Sequence, residues 1–174
     1  MAGEMKRDSR NSITLAMTGA SGAAYGLRLL QCLIEAGIDV HLMLSKPAQV
    51  VIAMESDVKI SGSPKEMQQQ LSDLYGAKAG QLSVWGKDQW SSPVASGSGA
   101  PRAMVVCPCT SAMLSAVAVG SSGDLMERAA DVVIKEQRKL ILVHRETPVS
   151  AIHLENALKL ARLGVTIMPA NPGF

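Results

Sequence analysis

The stretch at residues 13–26 constrains the fold of this chain more than any other. It reads Ile-Thr-Leu-Ala-Met-Thr-Gly-Ala-Ser-Gly-Ala-Ala-Tyr-Gly, so a short apolar run ends in a Gly/Ser turn and a helical pattern begins at once. Such a turn lets the backbone approach a ligand, and the helix start offers unpaired N–H groups to an anion. The pattern predicts a first strand that leads into a phosphate-binding loop. A tight turn without a ligand is the plainer alternative.

The spacing of the glycines narrows the choice of ligand. Gly19, Gly22 and Gly26 lack the dinucleotide-binding pattern because Ser21 stands where a glycine is needed. No Gly-Lys-Ser/Thr follows, so the turn is not a P-loop either. A phosphorylated ligand other than NAD or ATP is therefore favoured.

Composition and charge exclude several classes of protein. The chain has 174 residues, 47% of them hydrophobic, which is enough to bury the core of one domain. Its net charge is +2 without a long basic run, so nothing indicates nucleic-acid binding. Three cysteines without a CxxC pair favour a reducing compartment, and the first apolar run is too short for a signal peptide or a membrane span. We therefore expect a cytoplasmic protein with a polar N-terminal extension at residues 1–11 and one domain at residues 12–174.

Apolar, β-branched runs alternate with segments of helical spacing along the domain. Strands are expected at residues 13–17, 39–45, 103–107, 139–144 and 165–169, with a short one within 80–90. Helices are expected after the first turn and at residues 48–55, 64–74, 111–119, 124–135 and 151–163. This alternation predicts an α/β fold in which helices cover both faces of one parallel sheet. Ligands bind such sheets at the carboxyl ends of the strands, here residues 18–21, 45, 108–113 and 144–146.

Two pairs of charged residues are candidates for chemistry. Arg145 and Glu146 follow the fifth strand, where an arginine can bind a phosphate and a glutamate can carry a proton; a surface ion pair is an equal alternative. Arg128 and Lys135 lie seven residues apart on one helical face and suit a phosphate, but a solvated charged face is the favoured explanation. No metal site is predicted, because no pair of histidines has metal-ligand spacing: His41 alternates with strand residues, and His144 and His153 stand alone in the sequence.

Several short motifs, in this order and spacing, resemble those of the UbiX-type flavin prenyltransferases. They cover nearly the whole chain: Thr-Gly-Ala-Ser-Gly-Ala at 18–23, Ser-Lys at 45–46, Ala-Ser-Gly-Ser at 95–98, Cys-Pro-Cys at 107–109, Arg-Ala-Ala-Asp-Val at 128–132, Lys-Glu at 135–136, Arg-Glu-Thr-Pro at 145–148 and Ile-Met-Pro at 167–169. The resemblance implies a flavodoxin-like or Rossmann-like fold that binds FMN. It also implies a large homo-oligomer, such as a dodecamer, with its sites at subunit interfaces.

The resemblance implies a reaction as well. A dimethylallyl group passes from dimethylallyl monophosphate to N5 and C6 of reduced FMN, phosphate is released, and no metal takes part. The prenylated FMN then serves UbiD-type decarboxylases, for example in ubiquinone biosynthesis.

Particular residues acquire roles through the same resemblance. Those matched to FMN are Gly19, Ala20, Ser21, Ser45, Thr110, Ser111, Ala112, Met113 and Arg145. Those matched to the substrate phosphate are Ser96, Gly97, Arg128 and Lys135. The expected catalytic set consists of two carboxylates that handle protons, Glu55 and Glu146, together with Ser21 and Lys135.

Three features depart from the family pattern. His144 stands where a proline or a small residue commonly precedes the Arg-Glu-Thr-Pro motif, and Met113 replaces a threonine whose hydroxyl would reach FMN. The chain ends at Phe174, where the family continues with Tyr-His and a terminal helix that adds a tyrosine and an arginine to the phosphate site. We therefore expect this chain to bind FMN and its turnover to depend on that tail.

Two other functions compete with prenyl transfer. An FMN-dependent cysteinyl decarboxylase of the wider superfamily carries Pro-Ala-Ser-Ala-Asn-Thr where residues 108–113 here read Pro-Cys-Thr-Ser-Ala-Met, and its histidine base has no clear match. A non-catalytic FMN-binding protein is the second alternative.

Overall fold

Strands and helices alternate from residue 12 to residue 169 of the computed structural model, which describes residues 11–171. The strands are β1 (Ser12–Met17), β2 (Asp39–Leu44), β3 (Leu82–Trp85), β4 (Ala103–Cys109), β5 (Lys139–His144) and β6 (Thr166–Pro169). The helices are α1 (Ala23–Glu35), α2 (Lys46–Glu55), α3 (Pro64–Tyr75), α4 (Ser111–Ala118), α5 (Leu125–Lys135) and α6 (Ala151–Arg162), with a short 3-10 turn at Pro93–Ala95. Most of the predicted N-terminal extension and the last three residues lie outside the described range, so the domain boundaries remain a prediction.

All six strands run parallel in one sheet, in the order β3-β2-β1-β4-β5-β6. The predicted α/β fold is confirmed, and this strand order is that of a Rossmann-type doubly wound sheet. The chain moves outward from β1 through β2 to β3, and then crosses to the other side of β1 to form β4. The switch point therefore lies between the carboxyl ends of β1 and β4, where ligands bind in such folds.

Helices cover both faces of the sheet. One apolar cluster joins β1 and β2 to α1, α2 and α3 and includes the fully buried Leu30 and Leu71. A second cluster joins β4 and β5 to α4, α5 and α6 and includes the fully buried Leu114 and Leu160. Each such leucine stabilises the fold by about 1.5–3 kcal/mol through apolar burial. Among residues 11–171, no helix has both the length and the apolar surface needed to span a membrane.

Strand β4 is longer than the sequence predicts, because it continues past residue 107 to Cys109. Pro108 cannot donate a hydrogen bond to a neighbouring strand. The pairing with β5 is accordingly irregular after Val106 and resumes where Cys109 lies opposite His144. This extension brings the end of β4 level with the end of β5 at the carboxyl edge.

Candidate active site

The start of α1 forms an anion-binding cradle at the carboxyl end of β1. Gly22 caps this helix with φ +105°, in the left-handed region that favours glycine. The Glu55 carboxylate, at the end of α2, accepts hydrogen bonds from Ser21 Oγ (2.6 Å), Gly22 N (2.8 Å) and Ala23 N (3.0 Å). These bonds, the one from Ser21 foremost, lower the pKa of Glu55 below its ordinary value of 4.5. The structure thus brings together two residues of the predicted catalytic set, and the helix start already holds an anion.

A second turn, at the carboxyl end of β4, is joined to the first by Thr18. Thr18 Oγ1 donates to Pro108 O (2.7 Å) and accepts from Thr110 N (2.9 Å), and Thr18 N also donates to Pro108 O (3.2 Å). Thr18 is only 6% exposed, so water does not compete for these bonds. The two turns on either side of the switch point are therefore held as one unit.

These two turns carry backbone N–H groups that donate to no acceptor in the described part of the chain. They belong to Gly19, Ala20, Ser21, Ser111 and Ala112. Unpaired N–H groups at helix starts, together with the positive ends of the helix dipoles, suit a phosphate or another anion. The arrangement fits a phosphorylated cofactor such as FMN.

The start of α2 forms the third side of this region. Ser45 Oγ accepts from Ala48 N (3.1 Å) and so caps α2. A Cβ atom on Gly19 would lie 2.4 Å from Pro47 Cβ, so only glycine allows the first turn to pack against α2 at this distance. The starts of α1, α2 and α4 therefore meet at one edge of the sheet.

Thr110 and Met113, which are matched to FMN, also have side chains that are engaged within the chain. Thr110 Oγ1 accepts from Met113 N (3.1 Å) and caps α4. The Met113 side chain is 6% exposed and packs in the core between the sheet and α4. Both the side chain and the backbone N–H of Met113 are therefore engaged within the chain.

Glu146, the second predicted carboxylate, lies in the turn after β5. It accepts hydrogen bonds from Ser111 Oγ (2.8 Å) and Thr147 N (3.2 Å). Both bonds lower the pKa of Glu146 below its ordinary value of 4.5, and the bond from Ser111 is the larger cause. Ser111 Oγ also lies 2.9 Å from His144 Nε2. His144 also meets His153 edge to face, with ring centroids 6.1 Å apart.

Arg145 lies in the turn that holds Glu146, and its charge reaches Glu55. Its backbone N–H donates to Cys109 O (3.0 Å), which fixes the turn after β5 against the end of β4. Its positive charge contributes to the lowered pKa of Glu55, so the guanidinium lies on the side of the cradle. Within residues 11–171 that guanidinium has no hydrogen bond or ion pair, which leaves its donors available to a ligand.

The residues matched to the substrate phosphate lie beside α5 rather than at the cradle. The loop that precedes β4 runs along this helix, and Arg128 Nε donates to Ala95 O (3.2 Å). A Cβ atom on Gly97 would lie 3.1 Å from Lys135 Nζ, so Gly97 and Lys135 are direct neighbours. Ser96, which lies between Ala95 and Gly97 in the same loop, is exposed. The structure therefore brings this second group together along one helix.

Within one chain Lys135 is distant from the cradle. Lys135 comes just before the amino end of β5 and Glu146 follows its carboxyl end, so the six-residue strand separates them by about 20 Å. Both cations also have carboxylate partners: Arg128 pairs with Asp131 (3.0 Å) and Lys135 pairs with Glu136. In a single chain these residues therefore form the solvated charged face that the charge pattern favours.

Sequence reasoning assigned no separate role to Thr18 or to the Ser111 hydroxyl, although both organise the site. The available signal for Thr18 is a polar residue placed directly after a buried strand. The two cysteines beside the site are inert, because burial raises the pKa of Cys107 to about 11 and that of Cys109 to about 12. No group of three His, Cys, Asp or Glu side chains in the described ranges is placed to hold a metal ion.

Comparison with known proteins places these features in a family. The Flavoprotein family model matches residues 2–173, which are nearly the whole chain. The flavin prenyltransferase UbiX of Pseudomonas aeruginosa is 58% identical over 162 residues, which are 93% of this chain and 78% of that protein. The chain belongs to the UbiX-type flavin prenyltransferases within the flavoprotein family.

Solved structures agree with this assignment. A crystal structure of AnUbiX in complex with FMN and dimethylallyl pyrophosphate has a TM-score of 0.82 and 38% identity, covering 95% of this chain and 80% of that one. A dodecameric FMN-dependent UbiX-like decarboxylase from Escherichia coli O157:H7 has a TM-score of 0.81 and 36% identity, covering 94% and 81%. The cysteine decarboxylase TvaF, at 19% identity and a TM-score of 0.63, covering 90% and 88%, shares the fold alone.

Proposed function

We propose that this chain transfers the dimethylallyl group of dimethylallyl monophosphate to N5 and C6 of reduced FMN and releases phosphate. Its family and the ligands of its structural neighbour support this reaction. The observation that carries the proposal is the set of unpaired N–H groups at the starts of α1 and α4, which suits the phosphate of FMN. The prenylated FMN would be passed to a UbiD-type decarboxylase. Three unpaired cysteines favour the cytoplasm as the location.

Residues at the carboxyl edge would hold FMN, which supplies the electron-rich ring that receives the prenyl group. Those at the turns and helix starts are Gly19, Ala20, Ser21, Ser45, Thr110, Ser111, Ala112 and Met113. Arg145 adds a guanidinium without a partner among the described residues, and its planar donors suit a phosphate or a ring carbonyl. The unpaired N–H groups of the turns would make the contacts to the ligand, whereas the side chain of Met113 is buried in the core.

Glu55 and Glu146 would act as proton acceptors and as negative charges near the allylic carbon. Hydrogen bonds lower the pKa of both carboxyl groups, so both are ionised at neutral pH. An ionised carboxylate stabilises developing positive charge and accepts a proton released in the reaction. Ser21 would hold Glu55 in place through its 2.6 Å hydrogen bond.

The phosphate of the prenyl donor would be held by residues of a second copy of the chain. Ser96, Gly97, Arg128 and Lys135 match the phosphate-binding residues of the family, yet Lys135 lies about 20 Å from Glu146 within one chain. A homo-oligomer with sites at its interfaces removes this separation. The dodecameric neighbour supports such an assembly, and cations gathered on the phosphate would stabilise the departing group.

The cysteinyl decarboxylase alternative has little support. The cysteine decarboxylase among the structural neighbours shares the fold alone, whereas the prenyltransferase relative is 58% identical. A non-catalytic FMN-binding protein remains an outcome that the following experiment separates.

The test is an anaerobic reaction of the purified protein with reduced FMN and either dimethylallyl monophosphate or dimethylallyl pyrophosphate. We expect phosphate release with the monophosphate and a flavin heavier by one prenyl group in mass spectrometry. Glu146→Gln should keep FMN and slow product formation at least about a hundredfold, since a positioned proton acceptor contributes about that much. FMN binding without either product would overturn the proposal, and unchanged turnover of the variant would return Glu146 to a surface role.

A further inference from the structure

The Ser111 hydroxyl lies between Glu146 and His144, and the direction of its hydrogen bonds can be deduced. Ser111 Oγ is 2.8 Å from Glu146 Oε2 and 2.9 Å from His144 Nε2. An ionised carboxylate only accepts, and a serine hydroxyl has a single hydrogen, so that hydrogen lies on the Glu146 bond. His144 Nε2 must then carry a hydrogen and donate it to Ser111 Oγ.

The surroundings of His144 keep its ring neutral at pH 7. Burial lowers the pKa of His144, the charge of His153 on α6 lowers it further, and the charge of Glu146 opposes both. His153 Nδ1 accepts from Ser150 N (3.1 Å), which fixes the ring that His144 contacts. Arg145 is the other charged neighbour in this turn. A neutral imidazole has one N–H group, and the geometry places it on Nε2.

We propose that Ser111 and His144 are positioning residues for Glu146. His144 fixes the hydroxyl of Ser111 by donating to its oxygen, and Ser111 then directs its only hydrogen at Glu146 Oε2. This arrangement holds the carboxylate in one orientation and favours its ionised form. The inference rests on the proposed function in one respect, namely that Glu146 is the carboxylate that accepts a proton.

Three serine variants separate positioning from general structural damage. Ser111→Ala removes the hydroxyl but keeps the backbone N–H, so FMN affinity should remain while kcat at pH 7 falls about tenfold, roughly the contribution of one hydrogen bond to a charged group. Ser111→Thr restores a hydroxyl and should recover most of the loss. Ser115→Ala is the matched control, because Ser115 lies on the next turn of α4 and its hydroxyl accepts only from Asn156 Nδ2 (3.1 Å) among the described residues.

Nitrogen NMR of histidine-labelled protein reads the arrangement without turnover. The chain has three histidines, so His144→Gln assigns the signal of His144. We expect a single Nε2–H tautomer for His144 in the parent and a mixture of tautomers in Ser111→Ala. Glu146→Gln should also shift the tautomer, because the amide no longer obliges Ser111 to donate to it.

The pH dependence of turnover gives a second readout. The Ser111 bond is the largest cause of the lowered pKa of Glu146, so Ser111→Ala should move the acid limb of the kcat profile to higher pH. A kcat profile and a tautomer unchanged in Ser111→Ala, or an equal loss in Ser115→Ala, would overturn the inference. A parent protein that transfers no prenyl group would overturn the proposed function instead, and the tautomer measurements would still decide the role of Ser111.

Discussion

At the residue scale, Glu55 connects the end of one helix to the start of another. It ends α2 in the sequence, yet its carboxylate caps the start of α1 by accepting from Ser21 Oγ, Gly22 N and Ala23 N. An anion at a helix N-terminus is stabilised by the unpaired N–H groups and by the helix dipole. Glu55 therefore joins two helices, and its charge contributes to the stability of the fold as well as to the site.

We expect Glu55→Gln to lower the free energy of unfolding at pH 7 by about 0.5 kcal/mol, a small value because the group is exposed and screened by water. The pKa of Glu55 is lowered in the folded state, so its contribution is present above pH 4.5, the ordinary value, and is lost as the pH falls through the folded pKa. Urea titrations at several pH values should show the gap between parent and variant closing below pH 4.5. Glu155→Gln, at an exposed carboxylate on α6, is the control and should show no such gap; a gap for Glu55→Gln that is independent of pH would contradict the prediction.

Residues whose role is set by local sequence were predictable, and those set by distant contacts were not. Gly37 and Gly164 end α1 and α6 with positive φ, as their places after helical patterns indicate. Ser45 caps α2 for the same local reason. The hydrogen bond from Ser111 to Glu146 crosses 35 residues, and no periodic pattern reports a contact of that separation. The position of Glu146 after a strand and the resemblance to a family both pointed to this residue, but neither pointed to its hydrogen bond with Ser111.

At the scale of elements, the joint between β1 and β4 organises the site. Both strands end at the switch point, and Thr18 supplies the hydroxyl that joins their turns. The strands and helices themselves followed from hydrophobic periodicity and turn residues. The final two residues of β4 did not, because they pair with β5 only after an irregular register that the sequence does not reveal.

We expect Thr18→Val to destabilise the protein by about 1–3 kcal/mol, because the partly buried Thr110 N–H loses its acceptor and Pro108 O loses a donor. FMN should bind more weakly as well, since the turns at the switch point are no longer held together. Chemical denaturation and a flavin titration measure the two effects. Thr18→Ser keeps the hydroxyl and is the matched control; a variant with valine that equals the parent in both measurements would show that the joint is held by packing alone.

At the scale of the whole molecule, the candidate cradle and Lys135 lie at opposite ends of β5 on one chain. The cradle and both carboxylates lie at the carboxyl edge of the sheet, whereas Lys135 lies at the amino end of β5, about 20 Å away. Periodicity placed both groups on their elements correctly, but it does not report distances across a fold. The proposed site therefore requires that one copy of the chain present its α5 to the cradle of another.

This requirement can be tested by mixing two defective variants in one oligomer. Glu146→Gln damages the part of the site at the carboxyl edge of the sheet, and Lys135→Ala damages the residues matched to the substrate phosphate. Each homogeneous oligomer should therefore be nearly inactive. If each site combines residues of two copies, random co-assembly in equal amounts leaves about a quarter of the sites with both native groups, and that fraction of the parent's activity should return. Native mass spectrometry confirms that mixed oligomers form. Mixing Glu146→Gln with Glu55→Gln is the control, because both changes lie on the cradle side and leave a defect in every site. Mixed Glu146→Gln and Lys135→Ala oligomers without recovered activity would show that one chain builds its site alone.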